Sequence, residues 1–267
     1  LTILSNDEMP ADAPEMMMPL VNDKDALTRS NVLAAGRISA LPGANALLAG
    51  ISGLLKPSTL ITSIYGLREG LLFEQLTPAE QQADPLIAAA PFEGERLGRF
   101  PFHGDALAQW MAPVFAGQSP NDARLCRAAC LLSDSVWNVN PEYRADHALD
   151  LALDGSWPGV NASDRAVIAA ALWTVHAGKR TLPEMLTALA TPGALAQAVI
   201  WGLAIRLAHR LDGGTGGALA DSRIDGDGAT LRLHLSGSAV RLQSNSVQRR
   251  LQALGEALGY AQAEIVG

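Results

Sequence analysis

Residues 119–136 read SPNDARLCRAACLLSDSV and carry the pattern of an amphipathic helix. Ser119 is suited to cap the first turn, Pro120 to occupy the first helical position, and Asp122 to lie near the positive end of the helix dipole. Apolar residues then recur at steps of three and four, as on the buried face of a helix: Leu125, Ala129, Leu132 and Val136. The segment therefore predicts a helix that contributes one face to a core.

The neighbouring segments repeat this helical periodicity. We predict further helices from Ser163, from a capping box at Thr181, and over residues 193–211. The upstream helix has a stripe of apolar side chains: Leu107, Trp110, Met111, Val114 and Phe115. Residues 99–212 are thus predicted to form a helical domain, preceded at 77–98 by a connector of low periodicity with prolines at 78, 85 and 91.

The tail of the chain has a different pattern. After the glycine-rich residues 213–217, which we interpret as a linker, residues 222–225 and 229–235 are typical of two strands. The run Asp225-Gly226-Asp227-Gly228 predicts a hairpin turn between them. A helix is predicted at Asn245–Leu258, which makes residues 213–267 a small α/β appendage.

The beginning of the chain also mixes helix and strand. We predict a helix at 39–55 capped by Ser39, a strand at 59–65, and a turn at Gly66–Gly70 that leads into a helix from about Leu71. This order indicates α/β structure over residues 1–76. Residues 1–4 read as the end of a buried strand, so we expect a further segment upstream of Leu1.

Composition limits the classes of function. The chain has 267 residues, 48% of them hydrophobic and 18% charged, with a formal net charge of −7. An acidic chain of this kind repels polyanions on average, so a nucleic-acid partner is not expected. The two cysteines, Cys126 and Cys130, share a helix face and are expected to be buried free thiols. The longest apolar run, residues 194–204, is too short to span a bilayer, and we expect a cytoplasmic protein without membrane contact.

Few residues have the spacing of a catalytic or metal site. The five histidines form no pair with helical ligand spacing, and we interpret each as solvated or satisfied at a cap. Ser133-Asp134, at the end of a predicted helix, resembles the His-Asp pair of HD-domain phosphohydrolases with the histidine replaced. A hydroxyl is a poor substitute for an imidazole ligand, so no metal site is expected here, and we interpret Asp134 as a hydrogen-bonded relic.

A more extensive resemblance starts at Leu41-Pro42-Gly43-Ala44 and continues through residues 63–72, SIYGLREGLL. These segments resemble the Ppx/GppA family of exopolyphosphatases and guanosine pentaphosphate phosphohydrolases. Trp137, the run Pro141-Glu142-Tyr143-Arg144 and residues 173–176 are similar to the alphaproteobacterial exopolyphosphatases. The resemblance covers residues 37–260 and implies a mainly α chain. Its parts would be the last α/β elements of an actin-like lobe, a degenerate HD-like helical domain and the small appendage.

The resemblance implies that the parent enzyme releases the terminal phosphate of inorganic polyphosphate with Mg²⁺, as a homodimer. The family's catalytic residues match no position of this sequence, so we expect this chain alone to be inactive and to supply polyphosphate-binding, interlobe and dimer surfaces. Gly66, Arg68 and Arg37 are the candidate phosphate-binding residues, since a helix start favours anions. Three alternatives stay open: a portion of a guanosine pentaphosphate phosphohydrolase, a stand-alone non-catalytic interaction module, and an HD-type metal phosphohydrolase.

Overall fold

The structure is a computed structural model that describes residues 6–30, 33–100, 102–178, 181–213 and 217–267. Backbone contacts divide the chain into two compact units, Leu1–Ile64 and Tyr65–Gly267. The sequence predicted a finer division into four segments, and the boundaries of those segments stay predictions. The predicted strand end at residues 1–4 lies outside the described residues, as does most of the predicted glycine linker.

The first unit consists of short strands and helices. Its elements are β1 (Glu8–Pro10), α1 (Ala13–Asn22), α2 (Lys24–Ser30), α3 (Ala35–Leu55) and β2 (Thr59–Ile61). Strands β1 and β2 pair antiparallel, with Met9 opposite Leu60. The buried Asn45 of α3 donates a hydrogen bond from Nδ2 to the carbonyl oxygen of Pro14, 2.7 Å away, and so ties α3 to α1.

Two predicted boundaries in this unit were wrong. Helix α3 begins at Ala35, one turn before the predicted cap, and Ser39 lies inside it with its hydroxyl bonded to the carbonyl oxygen of Gly36 at 3.0 Å. The predicted seven-residue strand has three residues in the structure. Boundaries of short elements depend on tertiary pairing, here with β1, that local propensity does not encode.

Helix α3 is both apolar and exposed. Residues Gly36–Leu55 have a mean hydropathy of 1.5 over their best window, of which 17% is buried, and are long and apolar enough to cross a membrane. The core helix of a soluble protein meets the same criterion, so the finding is weak evidence for a membrane span. The predicted apolar stripe of this helix is exposed in the first unit: Leu47, Leu48, Ile51, Leu54 and Leu55.

The second unit is mainly helical, which confirms the predicted fold class at that level. Its helices are α4 (Leu67–Phe73), α5 (Pro78–Gln82), α6 (Pro85–Leu97), α7 (His103–Met111), α8 (Pro120–Leu132), α9 (Arg144–Asp154), α10 (Ala162–Ala177), α11 (Glu184–Thr187), α12 (Pro192–Asp212), α13 (Gly217–Ala220) and α14 (Asn245–Leu258). Its strands are β3 (Ser222–Asp227), β4 (Thr230–Leu235) and β5 (Gln262–Val266), with short 3-10 turns at Pro141–Tyr143 and Gly237–Leu242. The HD-like and actin-like assignments stay predictions.

Helix α10 lies at the centre of the helical core and packs against α8, α9 and α12. The approach of α12 is close: a Cβ on Gly202 would lie 2.5 Å from the carbonyl oxygen of Ala171 in α10. Small side chains on both helices permit this distance, and it brings the C-terminal halves of α10 and α12 side by side. The candidate site is built there.

The capping residues explain why some predicted helix boundaries were correct and others were wrong. Ser119 caps α8 as predicted, accepting a hydrogen bond from the backbone N–H of Asp122. The predicted irregular connector instead contains α5 and α6, because Pro78 and Pro85 occupy first helical positions behind the capping residues Thr77 and Asp84. The predicted cap at Thr181 was wrong, since α11 begins only at Glu184.

The C-terminal elements form a three-stranded sheet with one helix. Strands β3 and β4 pair antiparallel, which confirms the predicted hairpin, although β3 continues to Asp227 and the turn lies two residues later, at 227–230. Strand β5, which the sequence did not predict, pairs parallel to β4 after α14. Leu231, Leu233 and Leu235 are buried as their alternation predicts.

Candidate anion-binding site

The predicted glycine turn forms the start of helix α4. Gly66 is its N-cap, and the Gly66 N–H donates a hydrogen bond to Oε2 of Glu69, 2.7 Å away. This bond from Gly66 lowers the pKa of the Glu69 carboxyl, which therefore occupies the helix start as an anion of the chain itself. Arg68 is exposed in the first turn of α4, and Arg37 is exposed in α3 of the first unit. Their phosphate-binding role stays a prediction.

Ser133 and Asp134 follow directly after α8. The backbone N–H of Arg99 donates a hydrogen bond to Asp134 Oδ2 at 2.9 Å, and the Arg99 guanidinium forms an ion pair with both carboxylate oxygens. Burial of Asp134 opposes its ionisation, but the hydrogen bonds from Arg99 outweigh it and leave the pKa of Asp134 below its usual value. The aspartate predicted as a relic is thus engaged by an arginine.

The hydroxyl of Ser133 contacts His209, which in turn contacts a second buried histidine, His103. Ser133 Oγ lies 2.9 Å from His209 Nε2, and His209 Nδ1 lies 3.3 Å from His103 Nε2. His103 Nδ1 faces Asp212 Oδ2 at 3.6 Å. Burial, followed by the proximity of His103, lowers the pKa of His209 to about 3, so its ring is neutral at physiological pH. The interpretation of His103 and His209 as solvated side chains was therefore wrong.

A third histidine borders the same region. Burial, followed by the positive charges of Arg144 and Arg206, lowers the pKa of His176 to about 4. His176 Nε2 is buried without a hydrogen-bond partner in the described part of the chain. A neutral ring of this kind retains one nitrogen that accepts a hydrogen bond.

These groups border a cavity of 310 Å³, which we call the arginine–histidine pocket. The end of α6, the turn after α8, and helices α9, α10, α12 and α14 contribute its walls. It is lined by Arg99, Ser133, Asp134, Trp137, Pro141, Arg144, Val175, His176, Arg206, His209, Gly213 and Arg250.

Backbone carbonyls hold the arginines of the pocket in place. Arg144 donates from Nε to the carbonyl oxygen of Val139 at 2.8 Å, and Arg206 donates from Nη1 to that of Val175 at 2.5 Å. Arg250 donates from Nη1 to the carbonyl oxygen of Arg206 at 3.0 Å. A guanidinium has five N–H donors, so each of the three retains donors for a ligand.

The pocket carries surplus positive charge. Arg99 is balanced by Asp134, whereas Arg144, Arg206 and Arg250 form no ion pair with a carboxylate among the described residues. Burial, followed by the charges of Arg206, Arg210 and Arg249, lowers the pKa of Arg250 to about 10. A bound anion would relieve the mutual repulsion of these positive charges.

Arg206 and Arg250 also border a second cavity of 360 Å³, which we call the arginine groove. Its other lining residues are Gly178, Leu203, Ser246, Arg249 and Ala253. Gly178 ends α10 with φ +64, and a Cβ on this residue would lie 2.6 Å from Cζ of the Arg206 guanidinium. The pocket and the groove thus meet at one pair of arginines.

A third cavity, of 820 Å³, has a different character. It lies between α4, α5, α6 and the end of α9 and is bordered mainly by apolar side chains such as Phe73, Phe92 and Trp157. Two of its charged residues, Glu93 and Arg96, form an ion pair with each other at 2.6 Å. It offers no cluster of unpaired donors.

The donor set does not fit a divalent metal. Within residues 6–30, 33–100, 102–178, 181–213 and 217–267, no three His, Cys, Asp or Glu side chains are grouped so that they could hold an ion. Ser133 offers only a hydroxyl, which is a poor metal ligand, and Asp134 is engaged by Arg99. We therefore derive no chemistry through Mg²⁺ from these residues.

The sequence pointed to Ser133 and Asp134, and to Arg144 and His176 as parts of the family motifs, but it did not predict that Arg99, Arg206, Arg250 and His209 lie beside them. His103 and His209 are 106 positions apart, and only the packing of α7 against α12 brings them together. One signal was available: Arg206 lies within the apolar helix α12, where a charged residue needs a partner or a function.

Comparison with known proteins agrees with the resemblance seen in the sequence. Residues 87–266 match the family model described as exopolyphosphatase, C-terminal. A search of curated proteins found no match. The matched range includes the arginine–histidine pocket and the arginine groove. The chain therefore belongs to the Ppx/GppA family of exopolyphosphatases and carries its C-terminal region.

Proposed function

We propose that this chain is the polyphosphate-binding C-terminal portion of a cytoplasmic exopolyphosphatase-type hydrolase. The parent enzyme would release the terminal phosphate of inorganic polyphosphate with Mg²⁺ held by other residues. One observation carries the proposal: Arg206, Arg249 and Arg250 border a single groove without a carboxylate partner among the described residues, in a chain whose formal net charge is −7.

Arginine is suited to this ligand. Its planar guanidinium binds phosphate oxygens through paired hydrogen bonds, and a row of such groups neutralises a chain of phosphates. The three arginines lie on α12 and α14, two long helices of the core that keep the side chains in place. Binding should release counterions and weaken as salt rises, with a slope that reports the number of neutralised phosphates.

We propose that the catalytic residues belong to another part of the parent enzyme. Hydrolysis of a phosphoanhydride needs a group that activates water and a metal or donor set that neutralises developing charge. The neutral His209 is too weak a base at a pKa of about 3, and Asp134 is engaged by Arg99. These two facts argue against an HD-type phosphohydrolase, and we propose that the chain alone is inactive.

The exposed leucines of α3 support a contact role for the first unit. Leu54 and Leu55 are 84% and 75% exposed, and apolar surface of this kind is usually covered by a partner. We propose that it contributes to interlobe contacts or to a homodimer. Polyphosphate and guanosine pentaphosphate share the phosphate chemistry of the groove, so the latter remains the second candidate ligand.

Isothermal titration calorimetry with polyphosphate of defined length tests the proposal. Arg249→Gln should weaken binding by about tenfold to a hundredfold, since a charge-assisted phosphate contact contributes roughly 1.5–3 kcal/mol. Arg223→Gln is the matched control, because Arg223 lies on β3, pairs with Asp225 at 2.9 Å and makes the same change in net charge. Equal affinities of the two variants for polyphosphate, or no binding by the unaltered chain, would refute the proposal that polyphosphate binds in the groove. Competition by guanosine pentaphosphate at lower concentration than polyphosphate would favour the second candidate.

A further inference from the structure

The proposed function leaves one buried pair of an acid and a histidine without a role. His103 Nδ1 lies 3.6 Å from Asp212 Oδ2, and the two side chains are only 4% and 0% exposed. At this distance His103 Nδ1 makes no hydrogen bond within the described part of the chain. We propose that the pair is a proton-operated contact, in which one proton taken up by His103 turns the approach into an ion pair that joins α7 to the end of α12.

The first step of the argument is the position of the carboxylate. Asp212 Oδ1 accepts hydrogen bonds from the backbone N–H groups of Ala218 at 3.0 Å and Leu219 at 3.4 Å, at the start of α13. These bonds hold the carboxylate in place, with Oδ2 turned toward His103. A carboxylate buried this deeply is stabilised by a positive partner that also donates a hydrogen bond. A protonated His103 would be such a partner.

The second step is a count of protons along the contacts that end at Asp212. Four contacts follow one another: Asp212 to His103, His103 to His209 at 3.3 Å, His209 to Ser133 Oγ at 2.9 Å, and Ser133 Oγ to the carbonyl oxygen of Cys130 at 2.8 Å. Two neutral imidazole rings and one hydroxyl supply one donor each, so three donors serve four contacts whichever ring nitrogens carry the protons. One further proton on His103 would give every contact a donor. The longest of the four, at 3.6 Å, is the contact with Asp212.

The third step is the charge around the ring. The pKa of His103 is lowered chiefly by burial, whereas the negative charges of Asp212 and then Asp134 raise it, and the charge of Arg99 lowers it further. His209 contacts the ring from α12, and other titratable side chains border a small cavity beside it: Glu95, Asp105 and Cys130. Asp212 is thus the charge that most favours a proton on His103, and uptake is expected below the usual imidazole pKa of about 6.5.

The other two buried histidines lack this arrangement. The pKa of His176 is about 4 and that of His209 about 3. Among the described residues, His103 is the one of the three that lies within ion-pair distance of a carboxylate. We therefore expect His103 to take up the first proton as the pH falls.

The test is an NMR titration of the full chain, labelled with carbon-13 and nitrogen-15 in its histidines, from pH 7.5 to pH 5. Asp212→Asn should lower the proton affinity of His103 at least about tenfold, because an opposite charge at this distance shifts a pKa by about 1–3 units. The amide keeps an oxygen for the N–H groups of Ala218 and Leu219. Asp227→Asn is the matched control: it removes the same charge from an exposed carboxylate that pairs with Arg232, and it should leave His103 unchanged. Equal proton affinity of His103 in the unaltered chain and in Asp212→Asn, or uptake by another buried histidine before His103, would overturn the proposal.

Urea unfolding provides a second measurement. The unfolded chain binds a proton at this histidine more readily than the folded chain, and Asp212→Asn enlarges that difference, so the variant should lose more stability than the unaltered chain between pH 7.5 and pH 5. In chains that also carry His103→Gln, the effect of Asp212→Asn should no longer depend on pH. An effect that is independent of pH with His103 present, or that stays pH-dependent without it, would contradict the contact. Neither measurement involves polyphosphate, so its outcome is separate from that of the proposed function.

Discussion

Arg250 donates a hydrogen bond to the backbone carbonyl oxygen of Arg206, 3.0 Å away, and so joins α14 to α12 at the border between pocket and groove. Both guanidinium groups stay charged although burial lowers the pKa of each. Keeping like charges together in a partly buried position is unfavourable in the free protein, and the arrangement is understandable if an anion binds there.

Removal of one of these charges should separate binding from stability. Arg250→Gln should weaken polyphosphate binding at least about tenfold, because the side chain borders the groove. The free energy of unfolding in the absence of ligand should be unchanged or raised, since the repulsion among the arginines decreases. Urea unfolding with and without polyphosphate measures both effects. A variant that loses stability yet keeps full affinity for polyphosphate would contradict this role of Arg250.

The Arg99–Asp134 pair should contribute more to stability than an exposed pair. Arg99→Ala leaves the largely buried Asp134 carboxylate without its guanidinium partner and should lower the free energy of unfolding by about 1–3 kcal/mol. Arg96→Ala, which removes an exposed partner of Glu93, should cost less than about 1 kcal/mol. Chemical denaturation at pH 7 compares the two. Equal costs would mean that the Asp134 contact is no stronger than a surface ion pair.

The buried histidines predict acid sensitivity. The pKa of His209 is about 3 in the folded chain, against a usual value of about 6.5 when unfolded, so the unfolded chain binds more protons between these values. Stability should therefore fall as the pH drops below 6.5, by about 2 kcal/mol at pH 5 from this group. His209→Gln should flatten the dependence between pH 7.5 and pH 5 in urea unfolding. The variant is expected to be less stable at pH 7.5, and this loss does not test the prediction. An unchanged slope of the unfolding free energy against pH would contradict it.

The close approach of α10 and α12 can be tested with one methyl group. A Cβ on Gly202 would lie 2.5 Å from the carbonyl oxygen of Ala171, so Gly202→Ala should lower the free energy of unfolding by about 1–3 kcal/mol. Gly193→Ala, at the start of the same helix, meets nothing within 4 Å and should be neutral or slightly stabilising. Thermal unfolding of the two variants, each with one added methyl, distinguishes strain from helix propensity. Similar melting temperatures would contradict the observed packing.

The regular parts of the fold could be predicted from the sequence because their signals are local. The caps at Ser119, the apolar stripe of α8 and the alternation of Leu231, Leu233 and Leu235 each lie within a few residues. Strand β5 was not predicted because it forms a strand only by pairing with β4, from which α14 separates it in the sequence. Family membership was predicted from short motifs, and the family model confirms it over the later part of the chain.

The candidate site was predicted only in part, for the same physical reason. Ser133-Asp134 is a local motif and could be identified, but part of its environment comes from residues more than 30 positions away, among them Arg99 and His209. The sequence predicted an HD-type pattern with one ligand missing. It did not predict that arginines lie around Ser133 and Asp134.

We propose that this chain binds polyphosphate and does not hydrolyse it. Phosphorus-31 NMR of polyphosphate mixed with the full chain in the presence of Mg²⁺ tests both parts in a single spectrum. We predict broadened or shifted polyphosphate resonances in the unaltered chain and no growth of an orthophosphate signal. Unchanged polyphosphate resonances, or steady release of orthophosphate that scales with the amount of chain, would contradict the account.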